Sequence, residues 1–211
     1  MSVASLLVGI GGGSGSGKTA LAMGVAKALP AGQVVVIPAD AYYRDLGHLP
    51  PEERAGQNFD EPAALDNERL CDHLGMLATG QPIARPAYDF ATHTRLADPV
   101  RVLSAPVVIL EGILVLALPA LREILDLKVF VVASERTRLS RRIARDVGER
   151  GRTRESVEAQ FSRHTQPMHD RHVAPCEARA DVVVSGEEEP ARAVERVVTS
   201  ILAAPRAGNR A

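Results

Sequence analysis

A glycine-rich segment near the amino terminus has the residue types and spacing best suited to chemistry. Residues 12–19 fit the pattern G-x-x-x-x-G-K-[ST] without a mismatch. Glycines let consecutive backbone N–H groups curl around a phosphate, the lysine can meet the β- and γ-phosphates, and the threonine hydroxyl can ligate Mg²⁺. The pattern predicts a nucleotide-binding loop rather than a merely flexible turn, made of Gly12, Gly13, Ser14, Gly15, Ser16, Gly17, Lys18 and Thr19.

Two acidic residues follow predicted strands. Asp40 comes three residues after the apolar run Val34–Ile37, and Glu111 comes directly after Val107–Leu110. Because parallel strands end at one edge of a sheet, both carboxylates should face the glycine-rich loop if their strands flank the first one. There they could hold Mg²⁺ or take a proton from an acceptor hydroxyl. The alternatives are a helix N-cap for Asp40 and a surface charge for Glu111.

Arginines are concentrated between residues 136 and 154, where eight of them face only two acidic residues. Arg138, Arg142 and Arg145 recur at helical spacing and should share one face. Such a helix could close over transferring phosphates as a lid. A nucleic-acid patch is the rival interpretation, and the net charge of −1 argues against it. A third interpretation, a solvated helix face, suits Arg136, Arg141 and Arg154.

Aromatic residues are scarce, and five of the seven fall between the second and third predicted strands. These five are Tyr42, Tyr43, Phe59, Tyr88 and Phe90. Their clustering indicates either a flat ligand such as a nucleobase or, for Tyr42 and Phe59 equally well, a small satellite core. His93 follows Phe90 closely and could bind the edge of a base, although a lone histidine is more often structural.

Apolar runs and helical periodicity predict the elements that must position these residues. The predicted buried strands are Leu6–Ile10, Val34–Ile37, Val107–Leu110, Val129–Val132 and Val182–Val184. The predicted helices are Thr19–Leu29, Asn67–Ala78, Arg136–Asp146, Glu155–Arg163 and Ala191–Ala203. Roughly 70 residues separate the second and third strands, which predicts an insertion with its own helix and a hairpin across Arg85–Arg101.

Length and composition limit the class of protein. The chain has 211 residues with 45% hydrophobic and 24% charged residues, as expected for one α/β domain. Two cysteines are too few for a disulfide scaffold or a structural zinc site. No apolar run is long enough to span a membrane, and no basic segment precedes the first apolar stretch. A cytoplasmic protein is the expectation, with a flexible tail over residues 205–211.

Several segments together resemble the uridine–cytidine kinase family of P-loop kinases. They are GGGSGSGKT at 11–19, DAYYRDLGHLPPEERAGQNFDEPAALD at 40–66, RPAYDFATHTR at 85–95, VVILEGIL at 107–114, RLSRRIARDVGERGR at 138–152 and QFSRHTQPMHD at 160–170. The pattern YDF-x-x-H-x-R distinguishes this family from phosphoribulokinase and pantothenate kinase, which share the phosphate loop. The sequence departs from the family pattern at Arg179, Ser185, Glu189 and Pro190.

The resemblance implies a role for each matched residue. Asp40 would be the general base, Lys18 and Arg145 would act on the transferring phosphoryl group, and Thr19, Asp40 and Glu111 would organise Mg²⁺. The nucleoside site would contain Asp60 at the ribose, Tyr88, Phe90 and His93 at the base, and Arg142, Arg152 and Gln160 around them. Glu189 would lie near the base of the phosphate donor.

The implied fold is α/β and P-loop NTPase-like, a five-stranded parallel sheet flanked by helices, with an inserted substrate-binding hairpin and an Arg-rich lid. Residues 1–204 would form one kinase domain, with the substrate-binding insertion at 38–106 and the lid at 136–165. The implied activity is phosphorylation of uridine and cytidine to their 5′-monophosphates in pyrimidine salvage, with ATP, or else GTP, as donor. The resemblance also implies a homo-oligomer, a tetramer, with no nucleic-acid or membrane partner. The alternatives are another kinase of the superfamily, such as phosphoribulokinase, or a nucleotide-binding regulator without turnover.

Overall fold

A five-stranded parallel sheet lies at the centre of the protein, whose computed structural model describes residues 4–205. Its strands are β1 (Leu6–Gly12), β2 (Val34–Pro38), β7 (Val107–Glu111), β8 (Leu127–Val132) and β9 (Val182–Ser185). Their order across the sheet is β2-β7-β1-β8-β9, and every pairing is parallel. The five strands predicted from apolar runs are therefore confirmed, each extended by a residue or two.

Helices cover both faces of this sheet, which explains why its strands lack polar alternation. On one face, α1 (Lys18–Ala28) and α8 (Pro190–Ala203) pack against alternate residues of β1 such as Val8 and Ile10. On the other face, α3 (Asn67–Ala78) and α4 (Pro119–Ile124) share a core with Leu7. The helix α4 was not predicted, because it has only six residues, too few to show a helical repeat of apolar positions.

The long connection between β2 and β7 contains α2 (Pro51–Ala55), α3 and four short strands. Strand β3 (Ile83–Arg85) pairs antiparallel with β6 (Val100–Val102), and β4 (Tyr88–Asp89) pairs antiparallel with β5 (Thr94–Arg95). The structure thus has a hairpin across the predicted region. Asp66 caps the amino end of α3 by accepting a hydrogen bond from the backbone of Arg69, which fixes where the helix begins.

The arginine-dense stretch forms α5 (Glu135–Arg150), one turn longer than the predicted helix. Ser134 caps its amino end, and Gly151 ends it in the left-handed conformation at φ 63°. A second helix, α6 (Arg154–Gln160), continues through α7 (Gln166–Met168) with π-helical turns at Phe161–Thr165 and His169–Val173. The sequence pattern did not reveal these wide turns, because their period differs from 3.6 residues.

The remaining irregular helical turns are 3₁₀ segments at Ala39–Tyr42, Pro62–Ala64 and Ala174–Arg179. Within residues 4–205, no helix is both long and apolar enough to cross a bilayer. The tail predicted to be flexible begins at the last described residues, and from 206 onward it lies outside the part of the chain that the structure describes.

Tyr42 belongs to the core beneath the insertion rather than to a ligand surface. It is fully buried, and its hydroxyl lies 2.9 Å from Nδ1 of His73 on α3. Burial also raises the pKa of its phenol, so the hydroxyl stays protonated at neutral pH. The satellite-core interpretation therefore holds for Tyr42.

Replacing Tyr42 with phenylalanine should lower the free energy of unfolding by about 1 kcal/mol, the usual net value of one hydrogen bond. Urea denaturation of Tyr42→Phe and of the parent protein would measure the difference. In a His73→Ala background the same substitution should cost much less, because the partner is already gone. An equal cost in both backgrounds would show that the hydrogen bond does not stabilise the fold.

Candidate active site

The glycine-rich loop joins β1 to α1 and turns tightly against α5. Gly15 has φ 80°, and a Cβ at this position would collide with the backbone carbonyl oxygen of Arg138. Only glycine combines that left-handed backbone with so close an approach. Lys18 is the first residue of α1 and is 8% exposed, so its ammonium group is held at the amino end of a helix.

Strand register explains the placement of Glu111. It pairs with Ile10 of β1 on one side and with Pro38 of β2 on the other, directly beside the loop. Its Oε2 accepts a 3.1 Å hydrogen bond from the hydroxyl of Thr19, and the residue is 7% exposed. Burial raises the pKa of this carboxyl group, while the positive charge of Lys18 opposes the rise. The interpretation of Glu111 as a surface charge is therefore wrong.

Asp40 lies on the 3₁₀ turn that follows β2, at the same edge of the sheet. The residue before this turn is Pro38, and no side chain caps the turn, so the N-cap interpretation of Asp40 is wrong. Asp40 lies close enough to Glu111 for its charge to raise the pKa of that carboxyl group. The carboxylates of Asp40 and Glu111 therefore lie at the same edge of the sheet as the phosphate loop, as expected from the order of the strands.

Thr19, Asp40 and Glu111 fit a magnesium ion by chemistry. All three offer hard oxygen donors, and the Glu111 carboxylate is buried beside the Thr19 hydroxyl. Within the described residues, no group of three or more His, Cys, Asp or Glu side chains forms a metal cluster. Mg²⁺ usually takes one or two carboxylates and completes its shell with water and phosphate oxygens, and Asp40 with Glu111 would supply that number of carboxylates.

One cleft brings together the phosphate loop, the insertion and α5. It contains all ten residues predicted to do catalysis or to bind substrate: Lys18, Asp40, Asp60, Tyr88, Phe90, His93, Arg142, Arg145, Arg152 and Gln160. Tyr43 and Phe59 of the predicted aromatic cluster and Arg150 of the arginine-dense stretch also line it. Four further lining residues had no role assigned from the sequence: Gln57, Asn58, Ile113 and His164. Gln57, Asn58 and His164 are common polar types without a distinctive spacing, so no sequence signal identified them.

Aromatic rings of the insertion line one part of the cleft, which we call its aromatic end. The ring of His93 stacks on Phe59 with centroids 4.7 Å apart and planes 20° apart. Tyr88 makes edge contacts with Tyr43 at 5.6 Å and with Phe90 at 5.3 Å. Phe90 remains 42% exposed, and this exposure leaves one ring edge of the cluster open to the cleft.

Two polar groups in this aromatic cluster can bind a ligand. Burial lowers the pKa of His93, and the neighbouring Arg152 lowers it further, so its imidazole is neutral at pH 7. Burial raises the pKa of Tyr88 to about 12, so its phenol remains a donor. Among residues 4–205 the Tyr88 hydroxyl has no hydrogen-bond partner although it is buried. A buried unpaired hydroxyl at a cleft is a site where a ligand atom completes the bond.

Arg95 anchors strand β5 of the hairpin, a contact that the sequence did not reveal. The Arg95 guanidinium donates to the backbone carbonyls of Tyr42 and Tyr43 and pairs with Asp66 at 2.9 Å. These bonds attach the hairpin to the segment after β2. His93, two residues earlier, has φ 56°, a left-handed conformation that is rare for residues other than glycine. Such strain persists where surrounding contacts impose it.

Hydrogen bonds connect residues of the cleft that belong to different elements. Asp60 Oδ2 accepts a 2.9 Å hydrogen bond from the hydroxyl of Thr165. Arg142 donates to Oγ of Ser14 in the phosphate loop at 3.0 Å and to Oε1 of Gln160 at 2.9 Å. A chain of hydrogen bonds therefore runs from the phosphate loop along the cleft.

Two arginines of α5 make contacts that the helical spacing did not indicate. Arg138 is 2% exposed and does not line the cleft; its guanidinium lies over Phe161 and donates to Gln166 at 2.7 Å. The prediction that Arg138 belongs to the face above the phosphates is therefore wrong, because the phosphate loop packs along the first turns of α5. Arg141 is exposed, as the solvated-face interpretation expects, and it also donates to the loop carbonyl of Ser16 at 3.2 Å and to that of Gly186 at 2.9 Å.

A second, mostly apolar cavity of about 260 Å³ lies on the other side of the phosphate loop, between α1 and the start of α8. Its walls include Leu21, Val184, Val194 and the side chain of Glu188. Glu189, predicted near the donor base, is not among the residues that line this cavity. Its carboxylate caps α8 by accepting a hydrogen bond from the backbone of Ala191 at 3.3 Å.

Comparisons with known proteins identify the family of this chain. The family model "Phosphoribulokinase / Uridine kinase family" matches residues 7–191. A uridine kinase of Chloroflexus aurantiacus is 42% identical over 207 residues, covering 98% of this chain and 99% of that protein. A uridine kinase of Bacillus subtilis is 40% identical over 196 residues, covering 93% of each chain.

Solved structures show the same fold at low sequence identity. One, titled a possible uridine kinase from Bacillus stearothermophilus, has a TM-score of 0.61 at 22% identity, covering 87% of this chain and 90% of that one. A D-glycerate 3-kinase from Cryptococcus neoformans has a TM-score of 0.61 at 16% identity, covering 88% of both chains. The fold and the near-complete sequence match together place this chain in the phosphoribulokinase/uridine kinase family.

Proposed function

We propose that this protein is a nucleoside kinase that phosphorylates the 5′-hydroxyl of uridine and cytidine with ATP as donor. One observation carries the proposal: a single cleft is lined both by Lys18 and Asp40 and by the rings of Phe59, Tyr88 and His93. A sugar phosphate has no base, so a kinase that acts on one would not need aromatic rings in its substrate site. The 42% identity to a uridine kinase over nearly the whole chain supports the same conclusion.

The aromatic end suits a pyrimidine base. Any flat ring can stack on aromatic side chains, so the choice between bases must depend on the polar groups of the site. A neutral His93 can either donate or accept at its outer nitrogen, which allows it to pair with both uracil and cytosine edges. The buried Tyr88 hydroxyl, unpaired within residues 4–205, would donate to a base carbonyl. Asp60, beside Thr165, would accept from the ribose hydroxyls.

At the opposite end, the residues carry out phosphoryl transfer by positioning and electrostatics. Asp40 orients the 5′-hydroxyl and accepts its proton as the new P–O bond forms, while the donor leaves as its diphosphate. Lys18 and Arg145 stabilise the charge that spreads over the transferring oxygens. Mg²⁺, when bound, neutralises phosphate charge; Thr19, Asp40 and Glu111 are the side chains that would hold it.

We propose that the nucleobase of the phosphate donor binds in the second cavity. It adjoins Gly17 and Ala20, where the phosphate loop runs into α1, and its walls are mainly aliphatic. A purine packed there would place its triphosphate along the loop toward Lys18. The insertion would then act as the substrate-binding part of the domain, and α5 with α6 would act as the lid.

Removing the imidazole of His93 should impair nucleoside use far more than donor use. For His93→Ala we expect the KM for uridine to rise at least tenfold, because a base edge loses its partner and a stacked ring is lost, together about 2 kcal/mol. The KM for ATP should change less than threefold. His48→Ala, on the same insertion but outside the cleft, is the matched control. Equal losses for both substrates would make His93 structural.

The direct test of the proposal is the choice of acceptor. ADP release from Mg-ATP would be measured with uridine, cytidine, ribulose 5-phosphate, pantothenate or no acceptor. We expect turnover with the two pyrimidine nucleosides alone. Turnover with ribulose 5-phosphate instead would preserve the phosphate-loop argument and refute the base site. Measurable ATP binding without turnover on any acceptor would favour a nucleotide-binding regulator.

A further inference from the structure

One buried carboxylate near the end of α5 has no role in the steps described above. Asp146 is fully buried, and four guanidinium groups surround it. Arg145 binds its Oδ1 at 2.8 Å, and Arg150 approaches the same oxygen at 3.5 Å. Arg142 and Arg152 approach Oδ2 at 3.5 Å and 3.6 Å. We call these four side chains the arginine fan.

Every member of the arginine fan also lines the cleft. Arg142 reaches the phosphate loop through Ser14, and both it and Arg152 donate to Oε1 of Gln160. Arg150 lies 5.3 Å above the ring of Phe90, at the aromatic end. The fan therefore extends from the phosphate end of the cleft to the base end, and Asp146 is the anion at its centre.

The backbone around Asp146 contributes to the same arrangement. The carbonyl oxygen of Asp146 accepts hydrogen bonds from the backbone of Gly151 and, at 3.1 Å, of Arg152. Because Gly151 has φ 63°, the chain reverses there and returns Arg152 toward the helix it has just left. Two arginines from within α5 and two from its end and the following turn thus converge on one side chain.

We infer that Asp146 is a positioning residue: its carboxylate holds the arginine fan in the geometry that phosphoryl transfer requires. The inference rests on the proposed function, because it gives the fan's target as the transferring phosphoryl group and the bound nucleoside. Four like charges so close together repel one another, and a buried anion offsets that repulsion. Without it the guanidinium groups would spread toward solvent, and the cleft would gain one net positive charge.

Asp146→Asn keeps the shape of the side chain and removes its charge. We expect kcat to fall at least tenfold, because the arginines lose their orientation. The KM for ATP should stay within threefold or decrease, since the cleft has become more positive toward an anionic donor. A merely structural residue would not separate the two constants in this way. An unchanged kcat, or a loss confined to a raised KM for ATP, would overturn the inference.

Glu195→Gln is the control, because it removes an exposed carboxylate on α8 that lines neither the cleft nor the second cavity. It should leave kcat unchanged. Circular dichroism melting would report whether Asp146→Asn is folded. If it is not, Asp146→Glu retains the charge but displaces it by one methylene, and the same kinetic criteria apply to it.

A double-mutant cycle with Arg145→Gln tests whether Asp146 acts through the fan. The loss of kcat caused by Asp146→Asn should be much smaller in the Arg145→Gln background. Fully additive losses would contradict the inference. Every ratio is taken with whichever acceptor the wild-type protein turns over, and with acceptor-free ATP hydrolysis if there is none. Inactivity of the wild type on uridine would therefore refute the proposed function and leave the test of Asp146 intact.

Discussion

Asp40→Asn should reduce kcat for uridine phosphorylation by about 10²- to 10⁴-fold, the usual contribution of a positioned general base. The amide keeps the size of the side chain but cannot accept the proton of the 5′-hydroxyl. The KM for ATP should change less than threefold, because Lys18, Thr19 and Glu111 remain in place and the amide oxygen can still bind Mg²⁺. Steady-state kinetics with both substrates varied would separate the two constants.

Asp72→Asn is the control for this substitution. Asp72 is exposed on α3 and does not line the cleft, so its variant should keep wild-type turnover. Turnover by Asp40→Asn within threefold of the wild type would show that another group takes the proton. The base assignment would then be wrong, while the cleft and the phosphate loop would be unaffected.

Lys18→Ala should lower kcat by at least about 10²-fold, because a charge aimed at the transferring oxygens in a site shielded from water is lost. The KM for ATP should also rise, in contrast to the effect at Asp40, since the ammonium group meets the phosphates in the ground state as well. Lys18 is 8% exposed at the start of α1, so few water molecules can replace it.

Lys27→Ala provides an internal comparison on the same helix. Lys27 is exposed in the last turn of α1, well away from the amino end, and its removal should leave both constants unchanged. Parallel losses in the two variants would mean that the helix, rather than the charge at its amino end, is responsible. ATP binding measured by calorimetry would show whether the ground-state contribution is separate from the effect on kcat.

The sequence predicted the sheet and the phosphate loop because both depend on local patterns. Runs of valine and isoleucine identify strands buried on both faces, and the loop requires glycines at fixed spacing. The position of Glu111 could also be predicted, since a residue that follows a buried parallel strand reaches the same edge as the loop. The structure confirms its contact with Thr19 at 3.1 Å.

The positions of the arginine side chains of α5 could not be predicted from local sequence patterns. Helical spacing places Arg138 and Arg142 on one face, but the phosphate loop packs against only the first turns of that face. Arg138 is therefore buried beside the loop, whereas the side chain of Arg142 lines the cleft. In the sequence, Asp146 is one of two acidic residues among eight arginines, and nothing singles it out. Only the fold shows that four of these arginines converge on it.

The most direct test of the central claim is identification of the product. The protein would be incubated with Mg-ATP and uridine, and phosphorus NMR would locate the transferred phosphate. We predict uridine 5′-monophosphate, formed in equal amount to ADP, and no product from 5′-deoxyuridine. A phosphate on a different hydroxyl, or ADP formed without any phosphorylated nucleoside, would contradict the arrangement of Asp40, Lys18 and the aromatic end in a single cleft.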